Sequence, residues 1–192
     1  MIAAEAISED DIVERTAELG ERIAHDYRGL RPVLVCVLSG SLVFLADLIR
    51  RIPIECEADF LGLTKFGEGG RLRVAMDTAT NLASRHVLVV EDIVDTGLTL
   101  RLLRQMMEER NCASIQTVSL LDRTTRRIVD VPIEYRGFEV GDEFLVGYGL
   151  DWKGAFRNLR SLWAILDFAS FAADPSALLP ITDPAHGDRL AP

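Results

Sequence analysis

Nowhere in the 192 residues does an apolar run approach the ~18–20 residues that a membrane-spanning helix needs, so no membrane partner is expected. The start, Met1-Ile2-Ala3-Ala4-Glu5, has neither the basic residues nor the apolar core of a signal peptide. Positive charge is the minority: 21 lysines and arginines face 30 aspartates and glutamates, for a net charge of −9. That balance disfavours nonspecific attraction to nucleic acid. Cysteine is sparse. Cys36, Cys56 and Cys112 are odd in number and share no metal-ligand spacing, so neither a disulfide framework nor a zinc site is read from them. Cys36 lies inside an apolar run and reads as a buried free thiol. There is no internal repeat and no low-complexity segment. These absences point to a reduced, cytoplasmic protein. What is plentiful is apolar surface: hydrophobic residues make up 48% of the chain, enough for a packed core, and one domain is the default at this length.

One stretch organises the rest. Val87-Leu88-Val89-Val90 reads as a strand buried on both faces of a sheet. Glu91 and Asp92 close it, and Asp95 follows in a short turn with Thr96, Gly97 and Thr99. Leu100, Leu103 and Met107 then recur at helical spacing towards Arg110. A turn that feeds a helix N-terminus aims unpaired N–H groups at one spot, and the helix dipole favours an anion there. The threonines add hydroxyl donors, and Gly97 lets backbone approach a ligand closely. The acidic pair would repel a phosphate and suits sugar hydroxyls or a cation. A ribose 5-phosphate satisfies both halves. An ordinary strand-turn-helix corner with an acidic surface is the plainer alternative.

Glu91-Asp92-Ile93-Val94-Asp95-Thr96-Gly97-Leu98-Thr99 resembles the phosphoribosyl-pyrophosphate signature of the phosphoribosyltransferases, most closely their hypoxanthine/guanine branch. The resemblance runs from about Val33 to Leu166. It implies an α/β, type I phosphoribosyltransferase fold: a mostly parallel central sheet flanked by helices, a small hood and a flexible lid loop. Residues 1–166 would form the single domain and 167–192 a C-terminal tail of unknown role.

The remaining elements follow in chain order. Ser8 with Glu9, Asp10 and Asp11 reads as an N-cap and acidic first turn of a helix carrying Ile12, Thr16, Leu19 and Ile23. Val33–Leu38 reads as a second buried strand, Ser39-Gly40-Ser41 as another anion-competent turn, and Leu42–Arg51 as a helix. In the resembling family this turn binds pyrophosphate, with lysine where Ser39 stands; a plain tight turn is the other reading. Ile54–Leu63 reads as a strand, broken by a glycine-rich loop and resumed at Leu72–Val74. The resemblance makes that loop a lid with Lys65, Phe66 and Gly67, where the family has a Ser-Tyr pair; a solvated hairpin is the alternative. Ile115–Leu121 reads as a strand delivering Asp122 and Arg123 to the sheet edge where ligands gather. Arg123 takes the place of the family's base-reading lysine, or is a surface arginine paired with Asp122. Val131–Phe138 reads as a short strand and Leu162–Leu166 as the last one. Prolines after Asp174 suggest a tail that is loosely ordered or wraps a neighbouring subunit.

By the resemblance, Glu91 and Asp92 hold the ribose hydroxyls, Thr96, Gly97, Leu98 and Thr99 the 5-phosphate, and Ser39, Gly40 and Arg157 the pyrophosphate. Phe144 stacks on the base, main chain at Leu145 reads its edge, and Arg123 reads its oxo group. Asp151, with Glu91 and Asp92, holds Mg2+. Asp95 is the catalytic general base. The implied enzyme transfers a 5-phosphoribosyl group from phosphoribosyl pyrophosphate to hypoxanthine or guanine, in purine salvage, as a homodimer or homotetramer. Departures at Ser39, Phe66 and Arg123 keep a related transferase for a modified purine or deazapurine in view. A regulator that only senses phosphoribosyl pyrophosphate would need a nucleic-acid-binding module or a basic face, and the acidic N-terminus offers neither.

Overall fold

The structure, a computed structural model, describes residues 1–66 and 71–182. Its chain forms two compact units: Val13–Asp142, and Met1–Ile12 together with Glu143–Pro192.

The first unit is built on a six-stranded sheet of order β4-β3-β2-β5-β6-β7. Its strands are β2 (Val33–Leu38), β3 (Glu57–Phe66), β4 (Arg71–Met76), β5 (His86–Val94), β6 (Ser114–Asp122) and β7 (Tyr135–Glu139). β3, β2, β5, β6 and β7 run parallel, and β4 turns back antiparallel on β3. The apolar runs of β2 and β5 occupy the middle, where Val33, Val35, Val87 and Val89 are fully enclosed. This is what near-continuous β-branched sequence requires, since such a strand has no polar face to offer water. Val33 pairs with Val87 and Cys36 with Val90. That register brings the turns leaving β2 and β5 to the same edge of the sheet, where α2 (Leu42–Ile49) and α3 (Leu98–Glu109) begin. Leu100, Leu103 and Met107 of α3 are buried in the core with Val94 and Val131.

Several boundaries differ from the sequence reading. β3 starts three residues later than Ile54 and continues through Lys65 and Phe66, because those residues find antiparallel partners in Leu72 and Arg71. The strand anticipated at Val131–Phe138 is Tyr135–Glu139; Pro132, lacking an N–H, stays out of the ladder.

α1 (Glu9–Asp26) opens as its sequence implies: Ser8 Oγ accepts from the Asp11 N–H at 3.1 Å and donates to the Asp11 carboxylate at 2.5 Å.

The second unit carries a three-stranded antiparallel sheet of order β1-β9-β8, from β1 (Ala3–Ile7), β8 (Phe144–Val146) and β9 (Leu162–Ile165). β1 was not anticipated from the sequence. The tail is not loosely ordered as far as Thr182. It forms α4 (Phe168–Ala173), a 3-10 turn (Pro175–Leu178) and α5 (Leu179–Thr182). Phe171 and Leu178 are fully buried in a core with Ala3, Val146, Phe156 and Ile165. Asp167 caps α4, accepting from the Ser170 N–H at 3.0 Å. Among the described residues no helix is long and apolar enough to cross a membrane.

Candidate active site

The turn between β5 and α3 encloses a cleft of about 210 Å³, lined by Glu91 to Gly97, Thr99 and Leu100. Glu91, Asp92, Thr96, Gly97 and Thr99, singled out as ribose- and phosphate-binding, therefore wall one cavity. Leu98, also in that set, lies on the exposed first turn of α3. Glu91 is buried, and burial followed by the charge of Asp92 holds its carboxyl well above the usual carboxylate range. Asp92 accepts from the Ile93 N–H at 2.7 Å. Thr96 Oγ1 receives the Leu98 N–H at 3.4 Å, and Gly97 caps α3 with φ of 84°. A Cβ at Gly97 would run into the carbonyl of Val129, so both the left-handed backbone and the close approach demand glycine.

The turn leaving β2 meets this corner. Ser39 is exposed and Gly40 buried, and the Leu38–Ser39 peptide is cis. Ser41 is fully buried, its hydroxyl bonded to the Val37 carbonyl. A side chain at Gly40 would overlap the carboxylate of Asp92. The structure thus brings Gly40 against Asp92, with Ser39 next to it in the same turn.

Asp95 is partly exposed, but its Oδ1 is enclosed and makes no hydrogen bond. Two guanidiniums stand off from it: Arg123 Nη1 is 3.8 Å from Oδ1, and Arg126 Nη1 is 3.6 Å from Oδ2. An enclosed carboxylate oxygen that no protein donor occupies is free to take a proton from a ligand placed there. Arg123 is itself buried and donates through Nε to the Gly141 carbonyl at 2.7 Å. It is not the surface partner of Asp122. That carboxylate is wholly buried and pairs with Arg127 and, at 2.6 Å, with Arg136. Arg126 and Arg127 were missed in the sequence, although a run of three arginines within five residues of a strand end was a signal to follow.

Phe144, Leu145, Asp151 and Arg157 belong to the second unit. Phe144 packs edge-on against Trp152 at 5.6 Å and Phe168 at 5.3 Å, ring centre to ring centre. Leu145 is buried in β8 opposite Ala164. Asp151 and Arg157 are brought together at 2.7 Å; Asp151 also receives the Gly154 N–H at 2.6 Å, and Arg157 donates to the Gly149 carbonyl at 2.5 Å. Of the lid residues, Lys65 and Phe66 close β3, and Gly67 lies outside the described residues. Among the described residues no three histidine, cysteine or carboxylate side chains form a cage for a metal ion.

A parallel sheet that delivers an acidic pair, a lone carboxylate and an anion-competent helix start to one cleft defines an α/β protein for phosphorylated sugars. Comparison with known proteins agrees. Residues 5–153 match the phosphoribosyl transferase domain. The hypoxanthine-guanine phosphoribosyltransferase of Streptococcus thermophilus is 41% identical over 156 residues, 79% of this chain and 87% of that protein. Its Streptococcus pneumoniae counterpart is 41% identical over 157 residues, 80% of this chain and 87% of that one. A crystal structure of a Bacillus anthracis hypoxanthine-guanine phosphoribosyltransferase superposes with a TM-score of 0.83 at 37% identity, covering 86% of this chain and all of that one. The chain belongs to the phosphoribosyl transferase family, in its hypoxanthine/guanine group.

Proposed function

We propose that this chain catalyses transfer of the 5-phosphoribosyl group from phosphoribosyl pyrophosphate to hypoxanthine and guanine, releasing pyrophosphate. The observation that carries the reading is the cleft whose walls are the signature residues Glu91 to Gly97 and Thr99, in a chain 41% identical to hypoxanthine-guanine phosphoribosyltransferases. A specialised base is not favoured by those relatives.

Roles follow from chemistry. In the transfer, the bond from the anomeric carbon to pyrophosphate breaks, a bond from that carbon to a purine nitrogen forms, and the base loses a proton. Asp95, with its unoccupied enclosed oxygen, accepts that proton. Glu91 and Asp92 hold the ribose hydroxyls and favour the positive charge that builds on the sugar. Thr96, Gly97 and Thr99 hold the 5-phosphate, and Ser39 and Gly40 the pyrophosphate. Arg123 reads the oxo edge of the base with a fork that meets two acceptors at once. The family pattern gives Phe144 and Leu145 to the base, Arg157 to pyrophosphate and Asp151 to the cation. The donors fit magnesium: Glu91 and Asp92 are adjacent carboxylates on the cleft, and this ion is commonly held by one or two carboxylates plus substrate phosphate and water. When bound it offsets the charge of the departing pyrophosphate.

The test is a panel of bases supplied with phosphoribosyl pyrophosphate and magnesium, read by pyrophosphate release. Turnover of hypoxanthine and guanine is expected. Turnover confined to some other base would overturn the assignment.

A further inference from the structure

Resting on that functional reading, one group outside the cleft stands out. We propose that Arg127 is a positioning residue. With the two residues after it, it forms a strap that turns the phosphate-binding loop so that its amides face the 5-phosphate.

The argument starts from where the loop's carbonyls go. Val94 O accepts from the Arg123 N–H at 2.9 Å and from Arg127 Nη2 at 3.3 Å. Asp95 O accepts from Arg127 Nε at 3.1 Å. Thr96 O accepts from the N–H groups of Ile128 and Val129, both at 3.0 Å. Three consecutive carbonyls are therefore held from one side by a segment that follows β6. In a trans peptide the C=O and N–H point in opposite directions, and among the described residues the only cis bond is Leu38–Ser39. The amides of Asp95, Thr96 and Gly97 are thus turned away from the strap. A run of amides aimed one way is an anion cradle.

The strap is itself fixed. Arg127 is mostly enclosed, and its guanidinium pairs with the Asp122 carboxylate, which is wholly buried. A buried carboxylate without its cations is strongly unfavourable, so Asp122 holds Arg127 where it stands. Packing closes the arrangement: a Cβ at Gly97 would meet Val129 O and the Arg127 Cδ. Only an arginine has a planar fork able to serve two carbonyls and a carboxylate together.

The test compares binding of inosine monophosphate with that of inosine, ligands differing by the 5-phosphate alone. In wild type the nucleotide should bind more tightly. Arg127→Lys and Asp122→Asn should reduce that preference by about tenfold or more while leaving inosine affinity within about twofold. Arg104→Met is the control. It removes a comparable guanidinium, bonded to Glu134, Thr117 and Ile115, and should lower stability with the preference intact. A preference unchanged in the Arg127 and Asp122 variants, or equal loss for both ligands, overturns the strap. Should those variants fail to fold, amide hydrogen exchange on wild type decides: Ile128 and Val129 amides must be protected without ligand, and exchange at the rate of open loops overturns the proposal. A wild-type protein that shows no preference for the nucleotide would instead sink the functional reading on which the strap rests.

Discussion

The carboxylate of Asp92 occupies the space that a side chain at Gly40 would need. Two turns from different strands are thereby locked face to face, one proposed for pyrophosphate and one for ribose. Gly40→Ala must displace Asp92 or the turn. Overpacking of this kind costs about 1–3 kcal/mol, and turnover should fall by at least about tenfold through misplacement of the acidic pair. Adding Asp92→Ala should recover most of the lost stability and none of the activity. Chemical denaturation of the single and double variants measures this coupling. Additive effects on stability would show that the two residues do not share the space.

Asp95 offers an enclosed Oδ1 with no hydrogen bond, 3.8 Å from Arg123 Nη1, while its Oδ2 stands 3.6 Å from Arg126 Nη1. Asn at this position keeps the size and loses the capacity to take a proton. Asp95→Asn should cut kcat by about 10²–10⁴ and change the KM for phosphoribosyl pyrophosphate little. Unaltered kcat would remove Asp95 from the proton transfer.

Cys36 sits on β2 beneath the Ser39 turn, and burial pushes its thiol from 9.0 up to about 11, with smaller upward contributions from Glu91 and Asp92. The folded state thus favours the protonated thiol. The resulting stability is fully present below pH 9.0 and is lost as pH rises through about 11. The Tm difference between wild type and Cys36→Ala should be steady up to that lower limit. Above it the difference should narrow, on the order of a few degrees. A difference that stays flat across this window would mean the thiol is not protected.

The corner at 87–100 was legible because its signals are local. Four apolar residues make a two-sided buried strand, and Gly97 marks the one position where the backbone must turn left-handed. β1 was illegible for the opposite reason. Ala3-Ala4-Glu5-Ala6-Ile7 has little strand propensity of its own and becomes a strand by pairing with β9, some 160 positions away. The tail misled through composition: prolines suggested looseness, whereas Phe171 and Leu178 anchor it in a core. Arg126 and Arg127 drew no reading from the sequence. The significance of Arg127 depends on Asp122 being wholly buried at the end of β6 and on carbonyls some thirty residues earlier, and that of Arg126 on Asp95 across the turn, relationships that no window of sequence displays.

Arg123 is the residue through which base choice is best tested. Its Nε is committed to the Gly141 carbonyl at 2.7 Å, which fixes the guanidinium plane and leaves Nη1 on the side of Asp95. The proposed reader of the base and the proposed acceptor of its proton are thus held in one relation. Lysine is a single point charge on a flexible stem and cannot keep both the Gly141 bond and that orientation. Arg123→Lys should therefore shift the ratio of kcat/KM for guanine over hypoxanthine, by about three- to tenfold, because a hydrogen-bonded edge discriminates through the pairs it makes and leaves unmade. A uniform fall for both bases with the ratio unchanged would mean that Arg123 supports the site through its bond to Gly141 and does not read the base.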